Sequence, residues 1–204
     1  VYLLVGIVIW NYFVEVTLGS VGAIVGKGDL MRKVNFPRYV IVLAASFSAL
    51  INLSLNLLVI GIFLWFGKAE PNVNVLLLPL LVFELFIFAL AVGFFLSATY
   101  VRFRDVNFIL EVVVQFGFYA TPILYAFSFI NDKSALVGKI MMTSPMTQII
   151  QDIRYGLVTD KTSTIGSVFG TRIAYAIPLG IVLIIAILSL LYFKKNEHYF
   201  AENV

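Results

Sequence analysis

One stretch of the sequence holds residue types that bind phosphate in other proteins. The stretch Gly22-Ala23-Ile24-Val25-Gly26-Lys27-Gly28 has the composition of a phosphate-binding loop. Such a loop needs four residues between its glycines, and Ser or Thr after its lysine to meet magnesium. This stretch has three intervening residues, and Gly28 follows Lys27. We therefore interpret it as a flexible connection that binds no nucleotide.

The sequence lacks the groups of cysteine and histidine residues that commonly bind metal ions or support nucleophilic catalysis. The sequence has one histidine, His198, and no cysteine. Disulfides, thiolate zinc sites and cysteine nucleophiles are therefore excluded, and a metal site would lack a second imidazole. No nucleophile has an imidazole base near it in the sequence. We predict no catalytic, cofactor-binding or metal-binding residue in this chain.

Polar residues inside apolar stretches are stronger candidates. Glu84 is the only charged residue between positions 71 and 101. An intramembrane carboxylate is a functional candidate by default, and an ion pair between helices is the competing interpretation. Ser48, Asn52 and Asn56 recur every four residues, which places them along one face of a helix. Interhelical hydrogen bonding and the lining of a transport pathway both fit this face.

Pro122 interrupts the aromatic-rich stretch Phe118-Tyr119-Ala120-Thr121-Pro122-Ile123-Leu124-Tyr125. Proline removes a helix hydrogen bond, and at membrane depth protein or water must satisfy the freed groups. Tyr119 and Tyr125 offer aromatic faces that pack well against sugars, although aromatic residues are also common at membrane interfaces. Pro122, Tyr119 and Tyr125 are therefore further candidates for a transport pathway.

The composition indicates what kind of protein holds these residues. Of 204 residues, 61% are hydrophobic and 12% are charged. Soluble domains carry about 25% charged residues. This composition argues against a soluble enzyme, a nucleic-acid-binding protein and a disordered chain. It predicts an integral membrane protein.

Uncharged runs divide the chain into elements. A membrane span needs about 20 mostly apolar residues. The runs in this sequence do not alternate in polarity, which favours helices over the strands of a barrel. We predict an all-α polytopic membrane protein with five transmembrane helices, at about 1–18, 39–66, 74–100, 107–130 and 172–193. Because Val1 begins inside an apolar run, we also expect a fragment that lacks at least one upstream span.

The basic residues predict the orientation. They cluster at 27–38, at 102–104 and at 194–195, on alternate sides of the predicted spans. Cytoplasmic loops are enriched in Lys and Arg, so these clusters are predicted to face the cytoplasm and 131–171 to face outward. Within the outer segment, 134–157 predicts two short half-buried helices, the second beginning at Ser144-Pro145.

Four short motifs, in order, resemble those of a known family. Leu30-Met31-Arg32-Lys33-Val34-Asn35-Phe36-Pro37-Arg38 resembles the "(I/M)RKxxFPR" signature of the membrane subunit of type 2 ABC exporters for polysaccharides. Val101–Val106 is similar to the family's "VRYRDV" loop, and Thr121–Tyr125 to its "SPVIY" break. Tyr192–Glu202 is similar to its "YFRRxExxFAD" tail. Pro145-Met146 and Arg154 resemble its outer "NPM…FR" helix, with Ser144 in place of Asn.

The resemblance implies a single transmembrane permease domain over 1–204, with six spans in the full-length protein. It implies a cytoplasmic coupling segment at 27–38 and an outer re-entrant helical hairpin at 134–157. The residues implied to contact the ATPase are Leu30, Arg32, Lys33, Phe36, Arg38, Arg102, Arg104 and Asp105. Two copies would pair as a homodimer with two ABC ATPase subunits, which would bind ATP and Mg. The family moves O-antigen, capsule or teichoic acid across the bacterial or archaeal cytoplasmic membrane, with the C-terminus in the cytoplasm.

Three other functions stay open at this point. A type 2 exporter of drugs or other lipids would have the same architecture. A membrane-embedded enzyme acting on lipid-linked sugars would need an essential carboxylate, for which Glu84 is the best candidate. A structural membrane anchor would tolerate charge reversal at Arg32 and Lys33.

Overall fold

The computed structural model describes residues 1–23, 37, 39–67 and 72–196, and these ranges contain helices and no strand. The first elements are α1 (Tyr2–Ala23), α2 (Tyr39–Phe66), α3 (Leu78–Arg102) and α4 (Val106–Ala120). Four short helices follow: α5 (Phe127–Lys133), α6 (Ala135–Thr143), α7 (Pro145–Leu157) and α8 (Ile165–Phe169). The last helix is α9 (Ala176–Asn196). Short 3-10 helices, Val73–Leu77 and Arg172–Tyr175, precede α3 and α9.

Four segments of the described chain are long and apolar enough to cross a membrane: Tyr2–Gly22, Tyr39–Phe66, Val73–Arg102 and Arg172–Asn196. They are helical because a backbone in hydrocarbon must make its hydrogen bonds within the segment. Large apolar side chains cover their outer faces, and Trp65 and Phe66 of α2 are 86% and 84% exposed. The prediction of an all-α polytopic membrane protein is confirmed.

One end of the molecule gathers the ends of five helices. Val42 of α2, Val101 of α3 and Phe193 of α9 belong to one buried cluster. Val21 of α1 and Leu110 of α4 belong to a second cluster at the same end. We call this the basic end, because it carries Arg102, Arg104, Lys194 and Lys195.

The short helices cover the opposite end. Met146 and Ile149 of α7 pack in the same buried cluster as Val5, near the start of α1. The Asn72 amide donates to the Gly156 carbonyl at 2.9 Å, which joins the approach to α3 to the end of α7. We call residues 127–175 the helical cap. The basic clusters that we predicted to share one side of the membrane therefore lie opposite this cap wherever the structure describes them.

The segment predicted as a span over 107–130 is divided in the structure. α4 has 15 residues and ends at Ala120, and residues 121–126 are not helical. At about 1.5 Å per residue, α4 is shorter than the roughly 30 Å of hydrocarbon. However, Leu110 lies near the end of α1, and Ile123 lies against Gly6 near its start. The chain therefore runs along α1 here, and its crossing of the membrane stays a prediction.

The two helices predicted at 134–157 correspond to α6 and α7. Ser144 occupies the N-cap of α7 and Pro145 its first turn, although the serine side chain makes no capping hydrogen bond. α7 is more deeply buried than the half-buried helix that we predicted, since Gln148, Gln151 and Arg154 are buried along with its apolar residues. Gln148 lies beside Glu84 of α3, and Arg154 donates to backbone carbonyls near α1 and after α4, whereas the Gln151 side chain has no hydrogen-bond partner among the described residues.

Candidate functional site

A cavity of about 950 Å³ lies between α3, α7, α8 and α9. Its rim is apolar and is formed on α3 by Leu80 and Phe83 and on α9 by Leu179 and Leu183. These rim side chains are exposed, so the cavity opens on the outer surface of the helices. Its inner wall is polar and contains Glu84, Gln148, Asp152 and Tyr175. We call this space the α3–α9 cavity.

Hydrogen bonds to Asp152 organise the polar wall. Gln148 Nε2 donates to Asp152 Oδ2 at 2.6 Å, and the Tyr175 hydroxyl donates to Asp152 Oδ1 at 3.3 Å. Gln148 and Asp152 lie one helical turn apart, so both face α3. Glu84 lies beside them and interacts with both. In the described part of the chain, Glu84 Oε1 and Gln148 Oε1 are buried without a hydrogen-bond partner.

The wall holds two carboxyl groups that are each more than nine-tenths buried. Burial raises the pKa of the Asp152 carboxyl to about 6, and the hydrogen bonds from Gln148 and Tyr175 oppose that rise. Within the described ranges, no lysine or arginine forms an ion pair with Glu84 or Asp152. Buried charge without a partner is costly, so the wall favours protonation or a ligand that donates hydrogen bonds.

Arg154 lies on α7 and has the largest fully buried side chain among the residues that the structure describes. Its guanidinium donates to three backbone carbonyls: Tyr2 O at 3.0 Å, Pro122 O at 2.6 Å and Ile123 O at 2.7 Å. The guanidinium carbon also lies 3.8 Å from the centre of the Tyr2 ring. Burial lowers the pKa of Arg154, and the interactions with Tyr2 oppose this effect. Arg154 therefore fastens α1, α7 and the break at Pro122 to one another.

The predicted pathway residues do not form one cluster. Ser48, Asn52 and Asn56 lie on the exposed face of α2, whereas Glu84 is buried in the α3–α9 cavity. Tyr119 and Tyr125 lie at the break after α4, where the Tyr125 hydroxyl donates to the Tyr119 carbonyl at 3.2 Å. Pro122 lies in the same break. The structure thus divides the predicted pathway residues among three places: the exposed face of α2, the α3–α9 cavity and the break after α4.

The predicted ATPase contacts are described in part. Arg102, Arg104 and Asp105 are exposed at the basic end, in the turn from α3 to α4. The Arg102 guanidinium lies 5.3 Å from the centre of the Phe103 ring. The other candidates lie outside the described residues: Leu30, Arg32, Lys33, Phe36 and Arg38.

Sequence reasoning missed three features of these sites. It gave Gln148 and Asp152 no role, although an intramembrane Glu84 requires polar neighbours on another element. It treated Arg154 only as part of a motif. It did not select Glu15, whose Oε1 accepts a hydrogen bond from Asn52 Nδ2 at 2.6 Å. The available signal for Glu15 was the polar face of α2, which needed a partner on a neighbouring helix.

Comparison with known proteins gives consistent matches. A family model described as ABC-2 type transporter matches residues 1–158. The O-antigen export system permease protein RfbA of Myxococcus xanthus is 33% identical over 152 residues, which cover 73% of this chain and 57% of that protein. A protein of the same name from Klebsiella pneumoniae is 27% identical over 203 residues, or 99% of this chain and 74% of that protein.

A second Klebsiella pneumoniae protein of that name is 26% identical over 133 residues, which cover 65% of this chain and 51% of that protein. The matches to this protein and to the Myxococcus xanthus protein thus span little more than half the length of each relative. The family model itself covers more than half of this chain. The chain belongs to the ABC-2 type transporter family.

Proposed function

We propose that the chain is the membrane-spanning permease subunit of an ATP-driven exporter of lipid-linked polysaccharide. The observation that carries the proposal is the family match over 1–158, together with relatives named for O-antigen export. Those names favour a glycan over drugs or other lipids as the cargo. In this proposal, ATP and Mg bind to a separate ATPase subunit in the cytoplasm, and this chain performs no chemistry on the cargo.

The basic end is the proposed contact with the ATPase. Arg102, Arg104 and Asp105 are exposed there, and the segment 27–38 follows α1, which also ends there. Movement of the ATPase subunits on ATP binding would push on this end. α3 continues without interruption from Arg102 to Glu84, so it is the element that would carry such a movement to the α3–α9 cavity. Coupling of this kind requires two conformations that both sites bias.

The exposed face of α2 supports a pairing of two copies. Asn52 and Glu15 are joined by a hydrogen bond and yet exposed on the surface of a single chain. A carboxylate and an amide facing hydrocarbon would be costly. A second copy of the chain, with an aqueous route between the copies, would remove that cost. We place the path of the glycan at this seam.

The test uses the whole protein in mild detergent with charge reversal at the basic end. Arg102→Glu/Arg104→Glu should abolish co-purification of the ATPase subunit and the associated ATP hydrolysis, because the contact loses two cations. The matched control is Lys139→Glu/Lys161→Glu, which reverses two exposed charges in the helical cap. Equal co-purification in both variants would contradict the proposed contact. Absence of any ATPase from the wild-type preparation would contradict the transport function.

A further inference from the structure

The polar wall of the α3–α9 cavity offers acceptors that no described residue uses. Gln148 is 1% exposed and Glu84 is 7% exposed, both residues line the cavity, and the Oε1 atom of each has no hydrogen-bond partner among the described residues. Asp152 receives two hydrogen bonds but no cation. A ligand that satisfies this wall must therefore donate hydrogen bonds and preferably carry positive charge.

The size and shape of the cavity identify the class of ligand. A volume of about 950 Å³ far exceeds that of a metal ion or a few waters, each about 30 Å³. Within the described residues, no group of three His, Cys, Asp or Glu is placed to hold a metal ion. The lining contributed by α3 and α9 is otherwise apolar, and the cavity opens between these two helices, where Leu80, Phe83, Leu179 and Leu183 are exposed. An amphiphile with a cationic donor head fits this division of polar and apolar walls.

Arg172 places a positive charge at the cavity, which a ligand carrying only an ammonium group would not bind. It lies on the 3-10 helix before α9, lines the cavity and is exposed. It makes no hydrogen bond or ion pair with any other described residue. A guanidinium at this position suits a phosphate group, which it binds through two parallel hydrogen bonds. The lining therefore offers carboxylates for an ammonium and a guanidinium for a phosphate.

We propose that the α3–α9 cavity binds one phospholipid whose head group carries a primary ammonium, namely phosphatidylethanolamine. The ammonium donates hydrogen bonds to the Glu84 and Asp152 carboxylates and to the side-chain oxygen Oε1 of Gln148, and the Arg172 guanidinium binds the phosphate. The acyl chains lie along Leu80, Phe83 and Leu183. This lipid is a resident of the permease and is distinct from the cargo, so the inference goes beyond the proposed function.

The first experiment varies the lipid and leaves the protein unchanged. The whole protein is placed in nanodiscs of phosphatidylglycerol that contain equal small amounts of phosphatidylethanolamine and phosphatidylcholine. Lipid that stays bound after extraction into detergent and gel filtration is counted by mass spectrometry. Phosphatidylcholine has no N–H group and cannot donate to the wall. We expect phosphatidylethanolamine to be enriched over it by about tenfold or more, since one hydrogen bond to a charged group contributes on that scale.

The second experiment removes the charges while keeping the shape of the wall. Glu84→Gln/Asp152→Asn should reduce the enrichment of phosphatidylethanolamine to near the level of phosphatidylcholine. The matched control is Glu111→Gln, because Glu111 is an exposed carboxylate on α4 that accepts a hydrogen bond from Asn107. It should retain the wild-type enrichment. Gel filtration and thermal unfolding of each variant establish that it is folded.

Three outcomes would overturn the inference. Equal retention of the two lipids by the wild type would show that the wall does not select an ammonium. Unchanged enrichment in folded Glu84→Gln/Asp152→Asn would place the lipid elsewhere. Binding of Mn²⁺ to the wild type, detected by paramagnetic resonance and lost in that variant, would assign the wall to an ion. None of these results depends on co-purification of the ATPase, so the proposed function is tested separately.

Discussion

At the scale of residues, Arg154 explains how a broken helix is tolerated near the membrane. Pro122 interrupts the helical hydrogen bonding after α4, and the carbonyls of Pro122 and Ile123 would otherwise be buried without donors. The Arg154 guanidinium supplies both carbonyls and also the Tyr2 carbonyl. Arginine suits this position because its planar fork presents several donors in a fixed geometry, which lysine does not.

A substitution at Gly6 would test how rigidly the Arg154 side chain is held. A Cβ atom on Gly6 would overlap Arg154 Nη2, and three carbonyls prevent the guanidinium from moving away. We expect Gly6→Ala to lower the free energy of unfolding by about 1–3 kcal/mol. The control is Gly19→Ala on the same helix, where nothing lies within 4 Å of the added atom. It should stabilise by roughly 0.5–1 kcal/mol through helix propensity. Thermal unfolding in detergent measures both, and the same sign for the two variants would contradict the prediction.

Asp152 predicts a pH dependence of stability. Its folded pKa of about 6 exceeds the value of about 3.9 expected when unfolded, so the folded protein binds this proton more tightly. Its contribution to stability is therefore present below about pH 4 and is lost as the pH rises through 6. Glu84, Gln148 and Tyr175 face the same carboxyl and remain in place. Between pH 4 and pH 7, the free energy of unfolding of the wild type should fall relative to that of Asp152→Asn by up to about 3 kcal/mol. The melting temperature of the wild type should fall relative to that of the variant over the same range.

The control for this pH dependence is Asp160→Asn, because Asp160 is exposed. Its melting temperature should stay parallel to that of the wild type over the same range. A parallel profile for Asp152→Asn as well would mean that the folded and unfolded states bind the Asp152 proton equally.

At the scale of elements, the sequence predicts the long helices better than the cap. Uncharged runs set the positions of α1, α2, α3 and α9, because an apolar run of that length has few other stable structures in lipid. α7 was harder to predict. The sequence predicts a half-buried helix, and only the tertiary contact with Glu84 on α3 shows that the polar side of α7 is buried as well. A local pattern distinguishes polar from apolar faces but does not say which neighbour covers them.

The exposed face of α2 carries the prediction at this scale. If Asn52 and Asn56 border an aqueous route, then Asn52→Cys and Asn56→Cys in native membranes should react with a hydrophilic maleimide. Ile51→Cys and Leu55→Cys should react at least tenfold more slowly, because these exposed apolar positions of the same helix would face lipid. The 204 residues contain no cysteine, so they add no background labelling of their own. Equal labelling at all four positions would argue against a route along this face.

At the scale of the whole molecule, the fold separates two kinds of surface. The basic end carries Arg102, Arg104, Lys194 and Lys195. The helical cap contains acidic as well as basic residues, and its acidic residues are Asp132, Asp152 and Asp160. Because Lys and Arg are enriched in cytoplasmic loops, this separation predicts one orientation in the membrane. The basic end should face the cytoplasm and the cap should face outward.

Single cysteines at the two ends test this orientation. A membrane-impermeant maleimide added to intact cells or spheroplasts should label Lys161→Cys in the cap and leave Arg104→Cys unlabelled. Permeabilisation should then expose Arg104→Cys, because both side chains are already exposed in the folded chain and only the bilayer separates them from the reagent. Labelling of Arg104→Cys in intact cells would reverse the orientation. That result would also remove the proposed ATPase contact, since ATP is supplied on the cytoplasmic side.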